Sequence, residues 1–286
     1  MAKAEDAMQG KVAVMTGATS GIGEVAAERL AEAGATILFV ARDQRRAEAT
    51  LARLAAKNRA PHRFFRADLS NLAETKRVGA AIAAEAPRID VLVNNAGAMF
   101  SSRRETADGL EMTFALNHMS YFVLTAALLE KLKASAPARI VSTASAAHQG
   151  ARLDFDDLQN KRNYSGMRAY GRSKLCNILF TRALARRLQG TGVTANCLHP
   201  GFVATRFGDE AGGAVGLLIP LAKLFGRRPE KGAETIVYLA SSPDVASESG
   251  FYYFECRKTT PSAAAQDDEA ARQLWTASEK LAGFVS

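Results

Sequence analysis

Four apolar residues, Val12-Ala13-Val14-Met15, open the patterned part of the chain and end at Thr16-Gly17. A short unbroken apolar run of this kind suits a strand buried on both faces. From Ile22 the apolar positions switch to helical spacing, through Val25, Ala26, Leu30 and Ala33, and Gly34 closes the element. The alternation then repeats: strand 36–40, helix 44–57, strand 63–66, helix 72–85, strand 90–93. A long helix is predicted over 109–132, a strand over 139–142, a helix over 170–188 and a strand over 193–198. A helix over 231–240, a strand over 250–254 and a C-terminal helix over 269–281 complete the pattern.

Strands that alternate with helices imply right-handed crossovers and a parallel sheet covered on both faces. The expected fold class is α/β: one doubly wound, Rossmann-type domain of about seven strands, with ligands beyond the carboxyl ends of the strands. Residues 1–10 fall outside the pattern and are expected to be flexible, and 262–286 to form a helical tail. Residues 202–229 follow a strand yet carry five glycines, two prolines and the apolar centre Leu217-Leu218-Ile219. A loop of that length in a compact domain is expected to be a substrate lid.

Composition narrows the picture only slightly. Of 286 residues, 48% are hydrophobic and 23% charged, enough carbon for a sizeable core. The formal net charge is +8, but the basic residues are scattered over helical segments such as 42–59 and 182–187. Solvated helix faces plus one phosphate site account for that better than nucleic-acid binding. Cys176, Cys197 and Cys256 lack metal-ligand spacing, so no metal is expected, and reduced thiols fit a cytoplasmic protein. No secretory leader is read in the first residues, and no apolar stretch is read as approaching the ~18 residues of a membrane span.

The candidate chemistry begins at Thr16-Gly17-Ala18-Thr19-Ser20-Gly21-Ile22-Gly23, between the first strand and the first helix. Gly17 permits the tight turn, Gly21 lets backbone approach a pyrophosphate, and Gly23 allows close helix–strand packing. The N–H groups and positive end of the helix then attract the anion. The second strand ends in Ala41-Arg42. A carboxylate there accepts the ribose hydroxyls of NAD, whereas Arg42 suits the added phosphate of NADP. Asp43 reads as the cap of the next helix. Asp68-Leu69 is placed to hold adenine, or alternatively to start a helix that Ser70 or Asn71 could also cap. Asn94-Asn95-Ala96-Gly97 follows the fourth strand, where small residues admit the cofactor and Asn side chains tie strands together.

Tyr170 and Lys174, four apart on a helix, share one face. A nearby ammonium stabilises tyrosinate, so Lys174 is expected to lower the pKa of the Tyr170 phenol and make it a general acid/base. Ser145, at a strand end, can donate a hydrogen bond to a substrate oxygen. His62, His118, His148 and His199 are not spaced as a metal site, and Leu198-His199-Pro200-Gly201 supplies a turn that admits nicotinamide.

With these residues in this order, the chain resembles the short-chain dehydrogenase/reductase family over 11–283. The resemblance implies that Ser145 orients a carbonyl, Tyr170 transfers the proton, Lys174 binds the nicotinamide ribose, and Asn117 holds a relay water. It also implies that Thr19, Ser20, Ile22, Val203 and Thr205 line the cofactor, and that His148 and Phe202 line the substrate. Within the family it is similar to the retinol dehydrogenase, WW-domain oxidoreductase and protochlorophyllide reductase branch. That likeness rests on Arg139-Ile140-Val141 leading to Ser145-Ala146-Ala147-His148, on Asn117-His118, on Pro261-Ser262 and on Arg272-Gln273-Leu274-Trp275. Ala144 and Met119-Ser120-Tyr121 depart from the branch's usual serine and Leu-Gly-His. The implied activity is NADP(H)-dependent reduction of a small-molecule apolar aldehyde or ketone of medium or large size, with NAD(H) possible. The alternatives are an NAD-dependent alcohol or steroid-type dehydrogenase, and a dinucleotide-binding sensor or scaffold without turnover. Either a homodimer or a monomer is compatible.

Overall fold

The apolar runs pair side by side as parallel strands. The computed structural model describes residues 7–201 and 228–285. Its sheet contains β1 (Val12–Thr16), β2 (Thr36–Ala41), β3 (Arg63–Arg66), β4 (Val91–Asn94), β5 (Ala138–Thr143), β6 (Val193–Leu198), β7 (Tyr252–Phe254) and β8 (Arg257–Lys258). The spatial order is β3-β2-β1-β4-β5-β6-β7-β8. The first seven run parallel, and β8 adds a two-residue antiparallel rim beyond the seven expected strands. Strand order reverses between β1 and β4, which opens the crevice where ligands of such sheets bind.

The helices are α1 (Gly21–Glu32), α2 (Gln44–Ala55), α3 (Leu72–Glu85), α4 (Met112–Ala134), α5 (Gly166–Arg187), α6 (Pro229–Ser241) and α7 (Asp268–Leu281). One face of the sheet packs Ala13, Met15, Ile37, Phe39 and Val93 under α1, α2 and α6. The other packs Val14, Leu38, Leu92 and Ile140 under α3, α4, α5 and α7.

Local chemistry sets the helix ends. Asp43 caps α2 by accepting from Arg46 N, and Asn71 caps α3 by accepting from Glu74 N. Helix α4 starts three residues later than the periodicity suggests, because the buried Glu111 carboxylate accepts from Thr113 N and Phe114 N, both at 2.8 Å. Helix α5 starts a turn earlier than expected. A Cβ at Gly166 would come 2.3 Å from Phe100 O, so a glycine permits the close entry. Helix α4 also corrects the reading that no stretch nears membrane-spanning length. It is long and apolar enough (mean hydropathy 1.3), but 72% of that window is buried, so its apolarity serves the core.

Of the segment 1–10, residues 7–10 are described and pack on the domain. Met8 is buried and its N–H donates to Ala33 O at 2.9 Å. Residues 1–6 and most of the expected lid, 202–227 with Leu217–Ile219, lie outside the described residues, while Arg228 and Pro229 open α6.

Candidate active site

At the carboxyl end of β1 the chain turns sharply, with Gly17 and Gly21 at φ +69° and +60°. Gly23 lets α1 approach the turn: a Cβ there would lie 2.1 Å from Gly17 O and 2.4 Å from Asn95 Nδ2. Thr16 Oγ accepts from Asn95 N (2.9 Å) and Ala96 N (3.0 Å). Asn95 Nδ2 donates to Gly17 O (3.3 Å), and its Oδ1 accepts from Thr143 Oγ (3.1 Å). Asn95 thus laces the ends of β1, β4 and β5 and is a scaffold residue.

Unlike α2 and α3, helix α1 has no side-chain cap: Ser20 sits at the N-cap and leaves the helix N–H groups unbonded by its hydroxyl. Thr19, Ser20 and Ile22, all partly exposed, surround that end. An uncapped helix start behind a cradle that side chains would fill fits the pyrophosphate of a dinucleotide. Arg42 stands just past β2 with a largely exposed side chain, 4.0 Å from Asp68. Asp68 Oδ1 accepts from Ser70 N (2.9 Å) and Ser70 Oγ (2.8 Å) while Asn71 caps α3, so Asp68 is not the helix cap. Leu69 is buried beside it. Pro200-Gly201 leaves β6, with Gly201 at φ +80° and its N–H donating to His199 Nδ1 at 3.2 Å.

Lys174 and Tyr170 project from α5 into the end of this crevice, both at least nine-tenths buried. Lys174 Nζ donates to Thr143 O at 3.1 Å. It lies 5.5 Å from the centre of the Tyr170 ring and 5.8 Å from that of Tyr121, so the ammonium sits between two aromatic rings. Ser145 leaves β5 in extended conformation; its Oγ accepts from Ala147 N (3.2 Å), and it hydrogen-bonds the Tyr170 phenol. Met99 and Ala147 pack an apolar wall against Tyr170.

Asn117 is in a π-turn over Ala115–Met119 inside α4. Its Oδ1 accepts from Ala98 N (2.9 Å), and Nδ2 donates to Ala98 O (3.0 Å) and Ser173 Oγ (2.9 Å). The amide clamps the loop after β4 against α5. Gly97 makes room for the clamp, since a Cβ would meet Asn117 Oδ1 at 3.0 Å and Lys174 Nζ at 3.3 Å.

Two expectations change. The Tyr170 pKa is not lowered: burial pushes it up to about 12, and the Ser145 hydrogen bond offsets only part of that. Lys174 is itself buried, which brings its own pKa down to about 7. Desolvation disfavours each charged form and is the dominant cause for both groups. His148 does not face the crevice. It is fully buried, donating through Nδ1 to Ser145 O (2.7 Å) and accepting at Nε2 from Ser262 N (3.1 Å). It pins the Ser145 turn to the C-terminal segment. Phe202, Val203 and Thr205 lie outside the described residues.

Thr143, Ser173, Asn177 and Tyr121 belong to the site but were not singled out from the sequence. A usable signal existed for two of them. Tyr170, Ser173, Lys174, Asn177 and Thr181 recur at helical spacing and are buried, forming a polar stripe along the core face of α5.

Residues 11–214 match the family model described as short chain dehydrogenase. Human retinol dehydrogenase 13 is 41% identical over 282 residues, covering 96% of this chain and 85% of the relative. A crystal structure of a protein from Mycobacterium paratuberculosis superposes with a TM-score of 0.76 at 32% identity, covering 96% of this chain and 94% of that one. An active-site complex of Pseudomonas aeruginosa RhlG with NADP superposes at 0.69 with 29% identity, covering 87% of this chain and 96% of that one.

Proposed function

Since the chain belongs to the short-chain dehydrogenase/reductase family, in its retinol dehydrogenase branch, and is an oxidoreductase of CH–OH and C=O groups, we propose that it reduces an apolar aldehyde or ketone with NADPH. The observation that carries this reading is the convergence of Ser145, Tyr170 and Lys174, with Lys174 held on Thr143 O beside the Tyr170 ring. The dinucleotide supplies the hydride when bound. Thr19, Ser20, Ile22 and the glycines around them would hold its pyrophosphate, and Arg42 its ribose phosphate.

Ser145 orients the substrate oxygen. Tyr170, whose phenol is held neutral by burial, donates its proton as negative charge develops on that oxygen. Lys174, with a pKa of about 7, is charged often enough to favour the resulting tyrosinate and poised to give up a proton in turn. Met99 and Ala147 beside Tyr170 favour an apolar substrate. For the cofactor, Ala41 leaves no carboxylate at the end of β2 and Asp43 is engaged in capping α2, while Arg42 reaches outward. RhlG, similar in fold, was captured with NADP.

The test is to follow oxidation of NADPH and NADH in parallel against aldehydes and ketones of increasing apolar size. Turnover with NADPH that improves with size is expected. Turnover with NADH alone overturns the cofactor assignment. No turnover while both cofactors bind overturns the enzymatic reading in favour of a sensor.

A further inference from the structure

Ser145 leads directly into one tight turn, Ala146–His148, and that turn closes on Ser145 itself. Ser145 O accepts from both N and Nδ1 of His148, at 3.2 and 2.7 Å, while Ser145 Oγ accepts from Ala147 N at 3.2 Å. The turn also lies hard against α5. Ala147 packs on Tyr170, and a Cβ at Gly171 would come 2.6 Å from Ala147 O. Where the Ser145 hydroxyl sits in the crevice therefore depends on how this turn is held.

The far side of the imidazole reaches another part of the chain. His148 Nε2 accepts from Ser262 N at 3.1 Å, 114 residues on. That donor is itself fixed. It shares a peptide unit with Pro261 O, which accepts from Gln266 Nε2 at 3.0 Å, and Thr259 N donates to Tyr252 O at 2.8 Å. The Tyr252 ring meets the imidazole edge-on, with centroids 5.2 Å apart. A backbone carbonyl can only accept and a backbone N–H can only donate. The two bonds therefore admit one form of the ring, neutral with its proton on Nδ1. The other tautomer would set two acceptors against each other at Ser145 O and two donors at Ser262 N.

We propose that His148 is a positioning residue for Ser145, and that the Ser262 N–H governs it from the C-terminal segment by fixing its tautomer. The inference rests on the role proposed above for Ser145. With Nε2 held as an acceptor, the ring proton stays on Nδ1 and bonds Ser145 O. Without the Ser262 N–H, the proton is free to move to Nε2, and the bare Nδ1 then repels Ser145 O and opens the turn.

The test is kcat and KM with NADPH and the best aldehyde of the panel above, for Ser262→Ala, Ser262→Pro, His148→Phe and His148→Asn, each alone and combined with Ser145→Ala. Ser262 already holds φ −57°, within the range of proline, so Ser262→Pro removes the N–H without a change of φ. Measured against Ser262→Ala, which keeps the N–H, it should lower kcat about three- to tenfold with KM little changed. His148→Phe fills the space of the ring without its nitrogens and should lower kcat about tenfold or more. His148→Asn, whose NH2 can replace Nδ1–H on Ser145 O, should recover part of that loss. Combined with Ser145→Ala, all these differences should disappear, because the effect passes through the hydroxyl. Imidazole nitrogen shifts of the labelled wild type read the tautomer without turnover, and Nδ1 is expected to carry the proton.

Differences that persist undiminished beside Ser145→Ala trace the effect to packing and overturn the inference. A His148→Phe variant as active as wild type, equal kcat for Ser262→Pro and Ser262→Ala, or a proton on Nε2 in the wild type does the same. With wild type active and both Tyr170→Phe and Ser145→Ala impaired, any of these overturns the inference alone. An inactive wild type, or full activity in Tyr170→Phe or Ser145→Ala, overturns the catalytic reading and the inference together.

Discussion

The two faces of the sheet are built from different materials. Under α1, α2 and α6 the protein buries aliphatic and aromatic carbon, with threonine hydroxyls at Thr50 and Thr235. Under α4, α5 and α7 it buries Asn117, His118, Ser173, Lys174, Asn177 and Ser278 among similar carbon. The first face binds with backbone: its packing brings the glycine turn and the uncapped start of α1 together. The second works with side chains, each needing a partner because buried polar groups are costly when unpaired. Backbone recognition tolerates many side chains around it, whereas a buried side-chain network requires particular ones.

Substitutions that remove one contribution at a time test this division. The largest effect is expected from Tyr170→Phe, which keeps the ring and removes the proton. Turnover should fall on the order of 10²–10⁴-fold while cofactor affinity, measured by fluorescence titration, stays near wild type. A variant that kept full turnover would remove Tyr170 from the chemistry. On the other face, Gly23→Ala must displace backbone, since its Cβ would lie 2.1 Å from Gly17 O. It should cost about 1–3 kcal/mol of stability and weaken cofactor binding at least about tenfold, with both effects read from Tm with and without NADPH. Unchanged binding would mean that the turn can move without consequence.

Arg42→Ala should reduce the preference for NADPH over NADH by about tenfold or more, the scale of one charge-assisted contact, without changing turnover at saturation. A preference that does not move would place phosphate recognition elsewhere. The smallest effect concerns acid. Burial lowers the pKa of His118 from 6.5 to about 3, so between those values the unfolded chain binds a proton that the folded chain refuses. Stability should therefore fall as pH drops below about 6.5, with this residue contributing at most ~1.4 kcal/mol per pH unit. Urea unfolding at neutral and at mildly acidic pH should show a shallower acid dependence in His118→Phe than in wild type. Equal slopes would show that the imidazole titrates alike in both states.

The same division explains what could be read without a structure. The strands, the glycine turn, the cap at Asp43 and the Tyr170–Lys174 pair depend on neighbours within a few residues, and local spacing reveals them. His148 was misplaced because its second partner, Ser262 N, is 114 residues away. The direction of the Tyr170 pKa was misjudged because proximity to a lysine is visible in spacing and the depth at which both are buried is not. Helix α5 starts at Gly166 because of Phe100, a contact outside any periodic pattern. Asn177 and Ser173 were legible in principle, as polar residues at core spacing on the buried face of an amphipathic helix.

Both rims of the sheet are short and cationic: β3 begins and ends in arginine, at Arg63 and Arg66, and β8 is no more than Arg257 and Lys258. A bare strand edge is an invitation to add another chain, and such edges are commonly blunted by brevity and positive charge. Another copy docking edge to edge would bring like charges together across a gap of about 5 Å with very few backbone pairs in return. The sheet is thus self-terminating. Crowding many copies of this chain together should not drive them to grow into ribbons through their strands.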